Sequence, residues 1–145
     1  MIGFKEKNEF RGNVYLEIRK NGKIIETDED HNLIVTVGRT QLAKMLGGAY
    51  TGHITHIGVG TGSVNADNGD TGLTGTVKIP VASVEYSSAK VKFNFTIGSS
   101  DANGLSIREF GLFFADGTLF SRRVRKSIIG KESDISITGY WEIYM

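Results

Sequence analysis

The chain has 145 residues, with 17 Lys and Arg against 16 Asp and Glu, no cysteine, and 19 glycines beside a single proline. That length fits one domain able to build a core without covalent staples. The lack of cysteine excludes disulfides, thiolate metal sites and a cysteine nucleophile, and a formal charge of +1 is not that of a strongly basic nucleic-acid binder.

No apolar run approaches the ~20 residues of a membrane span. Met1 to Arg11 carries charges where a secretory leader would be apolar. The expectation is a soluble protein made in the cytoplasm, with neither a membrane nor a nucleic acid as partner. Residues 1–10 are polar and without period, and read as a flexible arm.

From Asn13 the pattern alternates. Val14, Leu16 and Ile18 face one way; Tyr15, Glu17 and Arg19 face the other, as in a half-buried strand. Asn21-Gly22 is a strong hairpin signal, because a type I′ turn needs positive φ at both central positions. Lys23 to Thr27 is its partner strand, so 11–28 reads as an N-terminal hairpin. Asp28-Glu29-Asp30 reads as a solvated connection. After the apolar run Leu33 to Val37, a helix is expected near residues 38–47: Leu42, Met45 and Leu46 share helical spacing, and Gly47-Gly48 ends it. So short a helix needs packing to be stable.

His53 to Val59 reads as a strand and residues 60–76, rich in Gly, Thr, Asn and Asp, as a loop. Val77 to Tyr86 and Ala89 to Ile97 follow, joined at Ser87-Ser88. Leu105 to Phe114 is a strand whose apolar parity changes partway, which one extra residue near Arg108-Glu109 would reconcile as a β-bulge. Asp116-Gly117 turns the chain into Thr118 to Arg125. Ile135, Ile137, Gly139, Trp141 and Ile143 hold one face of a last strand. About eight strands without alternating helices predict an all-β fold, mainly an antiparallel β-sandwich with one short helix, in a single domain over 1–145.

Chemistry is sparse. Gly58-Val59-Gly60-Thr61-Gly62-Ser63 lacks the lysine and following helix of a phosphate loop, so it reads as a glycine-rich turn leaving a strand. His53 and His56, three apart on a strand, point to opposite faces and do not share a metal ion. Asp67-Asn68-Gly69-Asp70 offers oxygen ligands, but without a calcium-loop order, and Asx residues also form turns. Arg122-Arg123-Val124-Arg125-Lys126 is the one basic cluster. It reads first as a solvated edge strand guarded by its charges and second as a protein-contact surface. The interface candidates are Arg122, Arg123, Arg125, Tyr140 and Tyr144. At the expected bulge, Glu109 beside Arg108 reads as a structural carboxylate that needs a partner. No acid, base and nucleophile stand at a recognisable spacing, so no enzyme, metal or cofactor is expected.

The phrases Asn32 to Ala43, Ile54-Thr55-His56-Ile57-Gly58-Val59-Gly60-Thr61-Gly62 and Leu73-Thr74, followed by Ile107 to Phe113, Asp116 to Arg122 and Trp141-Glu142-Ile143, resemble structural proteins of bacteriophage tails, baseplates and fibres. The likeness covers most of residues 31–145, the expected sandwich, and leaves 1–30 outside. It implies a virion component that acts by assembling with copies of itself and with other tail proteins, with Gly58, Gly60, Gly62, Arg108, Glu109, Gly111 and Trp141 as structural motif residues. Two other readings compete. One is a carbohydrate- or receptor-binding module meeting a host surface glycan through Tyr50, Tyr86, Tyr140 and Trp141. The other is a capsid decoration protein.

Overall fold

The computed structural model describes residues 10–145, so the expected arm lies outside the described residues except for Phe10. Nine strands and one helix follow in chain order: β1 (Arg11–Lys20), β2 (Lys23–Ile34), α1 (Thr36–Gly47), β3 (Ile54–Gly60), β4 (Val77–Pro80), β5 (Ser83–Ser87), β6 (Lys90–Ile97), β7 (Ser106–Phe114), β8 (Leu119–Gly130) and β9 (Ile135–Tyr144). The fold is all-β with one short helix, as the pattern predicts. Among the described residues no helix is long and apolar enough to cross a membrane.

All strands join one antiparallel sheet in the order β4-β3-β7-β8-β2-β1-β9-β6-β5. The sheet curls, so that β1, β9 and β6 face β3, β7 and β8. Val14, Leu16, Phe95, Ile137 and Trp141 from the first group share one buried cluster with Ile57, Val59, Phe110 and Leu112 from the second. Alternation explains the pattern. The even residues of β1 and the odd residues of β6 and β9 turn inward, where burial of apolar area drives folding.

The N-terminal hairpin turns at Asn21 (φ 51°) and Gly22 (φ 82°), both left-handed as a type I′ turn requires. Its second strand is longer than expected. Asp28-Glu29-Asp30 is not a solvated connection but the middle of β2, paired with Leu16, Tyr15 and Val14 of β1. β2 is the hinge of the sheet: it pairs with β1 along its length but with β8 only at Leu33 and Ile34. The expected single strand from Val77 to Tyr86 is two. Past Pro80 the chain crosses from one end of the sheet to the other. Val81 N–H donates to Thr55 O on β3 (2.9 Å) and Ala82 N–H to Asn94 O on β6 (2.8 Å).

Helix α1 closes the curl by lying against β8. A Cβ on Gly38 would come within 2.4 Å of Phe120 O, so only glycine admits this approach. Gln41 is buried and donates from Nε2 to Asp116 Oδ2 (2.7 Å). Leu42 and Met45 pack on the core, whereas Leu46 is 83% exposed, because the helix presents only a narrow stripe inward. Gly48 (φ 84°) ends the helix in a left-handed cap.

Candidate functional site

The motif residues of β3, β7 and β8 converge on the sheet face turned away from the core. In the β3–β7 pairing Gly58 stands opposite Gly111, and Gly60 opposite Glu109. The glycines leave a track into which larger groups lie down. A Cβ on Gly58 would meet Phe113 Cε2 at 2.4 Å. One on Gly60 or Gly62 would meet Glu109 Oε2 at 2.6 or 2.5 Å. The alternating glycines therefore serve close packing, not a phosphate and not merely a turn.

Glu109 is fully buried and accepts three hydrogen bonds. Gly62 N–H (2.6 Å) and Thr74 N–H (2.8 Å) donate to Oε2, and Arg122 Nε donates to Oε1 (2.8 Å). Arg122 in turn donates through Nη1 to Asp70 Oδ2 (2.8 Å) and through Nη2 to Val64 O (2.9 Å). Four points of the 61–76 loop, Gly62, Val64, Asp70 and Thr74, are thus tied to one carboxylate–guanidinium pair. Leu73 adds an apolar contact on the cluster of Val35, Phe113 and Leu119. Thr36 N–H, at the start of α1, donates to Asn68 O (2.9 Å). The loop is a packed cover over β3, β7 and β8.

Arg108 is not the partner of Glu109. It donates from Nε to Arg125 O (2.9 Å). The pairing irregularity does fall between Ile107 and Glu109, but the surplus residues are on β8, since Ile107 faces Ile129 while Glu109 already faces Val124. Across this irregularity Ile107 and Phe110, of opposite parity, both reach the core cluster, whereas Glu109, Gly111 and Phe113 lie on the side covered by the loop.

Of the interface candidates, Arg122, Arg123 and Arg125 are 5%, 4% and 4% exposed. They are neither a solvated edge nor a free contact surface, because β8 is an interior strand and each guanidinium has a carboxylate within the chain. Arg123 Nη2 and Arg125 Nη1 share Asp28 Oδ2 (2.6 and 2.5 Å), and Arg125 Nη2 also reaches Glu26 Oε2 (3.0 Å). These pairs bridge the stretch where β2 and β8 no longer share backbone bonds.

Tyr140 and Tyr144 lie on the outer face of β9. Tyr140 stacks on Tyr15 (centroids 5.1 Å apart), with Lys92 Nζ 4.2 Å from its centroid. Its ring is thus engaged by an aromatic ring and a cation within the chain. Tyr144 OH donates to Glu142 Oε1 (3.0 Å). Burial pushes the Glu142 carboxyl up, but hydrogen bonds from Lys90 and Tyr144 outweigh it and hold it below the ordinary glutamate value. The sugar-stacking set is scattered: Trp141 is in the core, Tyr50 packs edge-on against Phe114, and only Tyr86 stands free. Tyr15, which carries the aromatic pair, has no sequence signal beyond its outward parity.

His53, His56 and the Asp67–Asp70 turn do not converge. Among the described residues no three His, Cys, Asp or Glu side chains group as metal ligands. Asp67 Oδ2 accepts from Gly69 N–H (3.0 Å) and Asp70 Oδ2 from Asp67 N–H (2.8 Å), so both carboxylates shape the turn. A buried lysine escaped the sequence reading. Lys131 Nζ donates to Asn103 Oδ1 (2.8 Å) and Glu132 O (3.1 Å), and burial pushes its pKa down. No protein-family model, curated protein or solved structure matches the chain.

Proposed function

We propose that the protein is a structural component of a bacteriophage virion, in the tail, baseplate or fibre-attachment region, and that it works by symmetric contact with copies of itself and with other virion proteins. The likeness of its glycine, Arg-Glu-Phe-Gly and Asp-Gly-Thr-Leu phrases to phage tail proteins carries the reading. Support comes from where those phrases meet. Gly58, Gly60, Gly62, Leu73, Thr74, Glu109, Gly111, Phe113 and Arg122 form one clamp that pins a loop to a sheet. Its polar groups are spent on each other, as suits a rigid building block.

The test is particle composition. An epitope-tagged chain, expressed during lytic growth of the phage or prophage that carries it, is expected in purified particles, with gold-labelled antibody on the tail. Label on the head would move it to capsid decoration. Absence from particles would refute the proposal.

A further inference from the structure

The two ends of the strands carry apolar features of opposite shape. β1 runs from Arg11, beside Tyr144 of β9, to Lys20, beside Ile135, so the Asn21-Gly22 turn and the start of β2 lie at one end. There Ile24 and Ile25 are 50% and 58% exposed. Ile25 has no partner across on β1, because the register shifts at that point, and it forms a bulge beside the hairpin tip. At the opposite end an apolar depression of about 200 Å³ opens between α1, the start of β3 and β5. Phe93, Phe114 and Phe120 floor it, and Tyr86, 81% exposed, stands at its rim. Its wall includes Ile143, which pairs with Gly12 near the start of β1. At about 3.3 Å per residue along β1, tip and depression are roughly 30 Å apart, so the tip of a chain does not reach its own depression.

We propose that copies of this chain associate head to tail, the β1–β2 hairpin tip of one copy seating Ile24 and Ile25 in the depression of the next. This deepens the assembly reading above and rests on it. A cavity of about 150 Å³ lined by apolar side chains takes up a benzene ring, so the depression has room for an isoleucine side chain. Charge points the same way. Lys20 and Lys23 flank the turn, are exposed, and take part in no ion pair among the described residues. Beside the depression, α1 ends at Gly47, with the partial negative charge of a helix C-terminus, and Glu85, likewise outside any ion pair among the described residues, stands between Val84 and Tyr86 on β5. The cationic tip therefore approaches a rim of opposite sign. Tip and depression are different surfaces, so the contact is heterologous: each copy keeps one of each free, and association continues until a ring closes or a filament grows. It covers exposed apolar groups at both ends of the molecule, the kind of patch that marks interaction sites.

Analytical ultracentrifugation of the full chain tests this, with circular dichroism confirming that each variant is folded; both substituted positions are exposed. The wild-type chain is expected to form species larger than a dimer. I25D, which spoils the tip, and Y86D, which spoils the rim, are each expected to weaken association about tenfold or more, since each sets a carboxylate in an apolar contact. Mixed together, the two variants are expected to form a 1:1 dimer and nothing larger, because the intact tip of Y86D meets the intact depression of I25D and neither end can then continue. A monomeric wild-type chain, a wild-type chain that stops at a dimer, either variant associating like wild type, or a mixture that stays monomeric would each overturn the proposal. Particle composition is read separately. A chain present in particles whose variants fail to complement defeats the head-to-tail contact alone. A chain absent from particles whose variants do complement defeats the virion role alone.

Discussion

Replacing Glu109 with alanine removes one acceptor group that serves three donors. Gly62 N–H and Thr74 N–H lose their only hydrogen bond to the sheet face, and Arg122, 5% exposed, keeps just Asp70 and Val64 O. Breaking a buried ion pair from one side costs about 3–5 kcal/mol, and each buried amide left unpaired costs about 1–3 kcal/mol. The terms do not add, because the loop can lift and hydrate its amides, and Arg122 retains one carboxylate. A loss of about 3–4 kcal/mol is expected, a large share of a typical 5–15 kcal/mol. For a chain this long it lowers the melting temperature by roughly 10 °C. Glu109→Gln preserves shape and an acceptor, and should lose roughly half as much. Urea unfolding gives the energy, and amide exchange at Gly62 and Thr74 locates it. The double variant E109L/R122M, which removes both charges, should be more stable than E109L alone, as removing both partners of a buried pair usually is. A loss below about 1 kcal/mol for Glu109→Ala, or unchanged exchange at those two amides, would refute the clamp.

Other outcomes follow from the same geometry. Gly58→Ala drives a methyl into the Phe113 ring, 2.4 Å from its Cε2, and should cost about 1–3 kcal/mol by thermal unfolding. Gly47→Ala, with open space at its Cβ, serves as the neutral control. Asp28→Asn uncharges the carboxylate shared by Arg123 and Arg125 and should cost about 3 kcal/mol, with exchange rising first at the β2–β8 junction. Glu17, Asp116 and Glu142 all titrate below their ordinary values in the fold. Their contribution is therefore complete above the unfolded values of 4.5, 3.8 and 4.5, and fades as pH falls through the lower folded ones. Stability should be level down to about pH 5 and decline below it. The decline should be shallower in E142Q, as denaturant midpoints across that range will tell.

How much of this was legible differs from element to element. β1 and β9 declare themselves, because one face meets the core and the other meets water, so period two is written in their residues. The turn at Asn21-Gly22 is equally local, since it depends on backbone sterics. β7 blurs its pattern because its register shifts partway, so that residues of both parities reach the core. The acidic run at 28–30 reads as solvated, because nothing nearby in sequence announces Arg123 and Arg125, which reach it only once β2 and β8 meet at Leu33 and Ile34. Glu109 could be recognised as a carboxylate in need of a partner. The adjacent Arg108 cannot be that partner, since neighbouring residues on a strand point to opposite faces. Arg122 becomes its neighbour only through the β7–β8 pairing.

The order of amino acids by itself determined what short-range sterics and apolar alternation can encode: strands, tight turns, one short helix and the all-β class. Tertiary structure alone decided how the strands are ordered, which charges find each other, and why Gly58, Gly60 and Gly62 alternate at the end of β3 and just beyond it. Those features depend on contacts between segments far apart in the chain. Such contacts form when burial of the apolar faces brings the curled sheet together, and no local spacing records them.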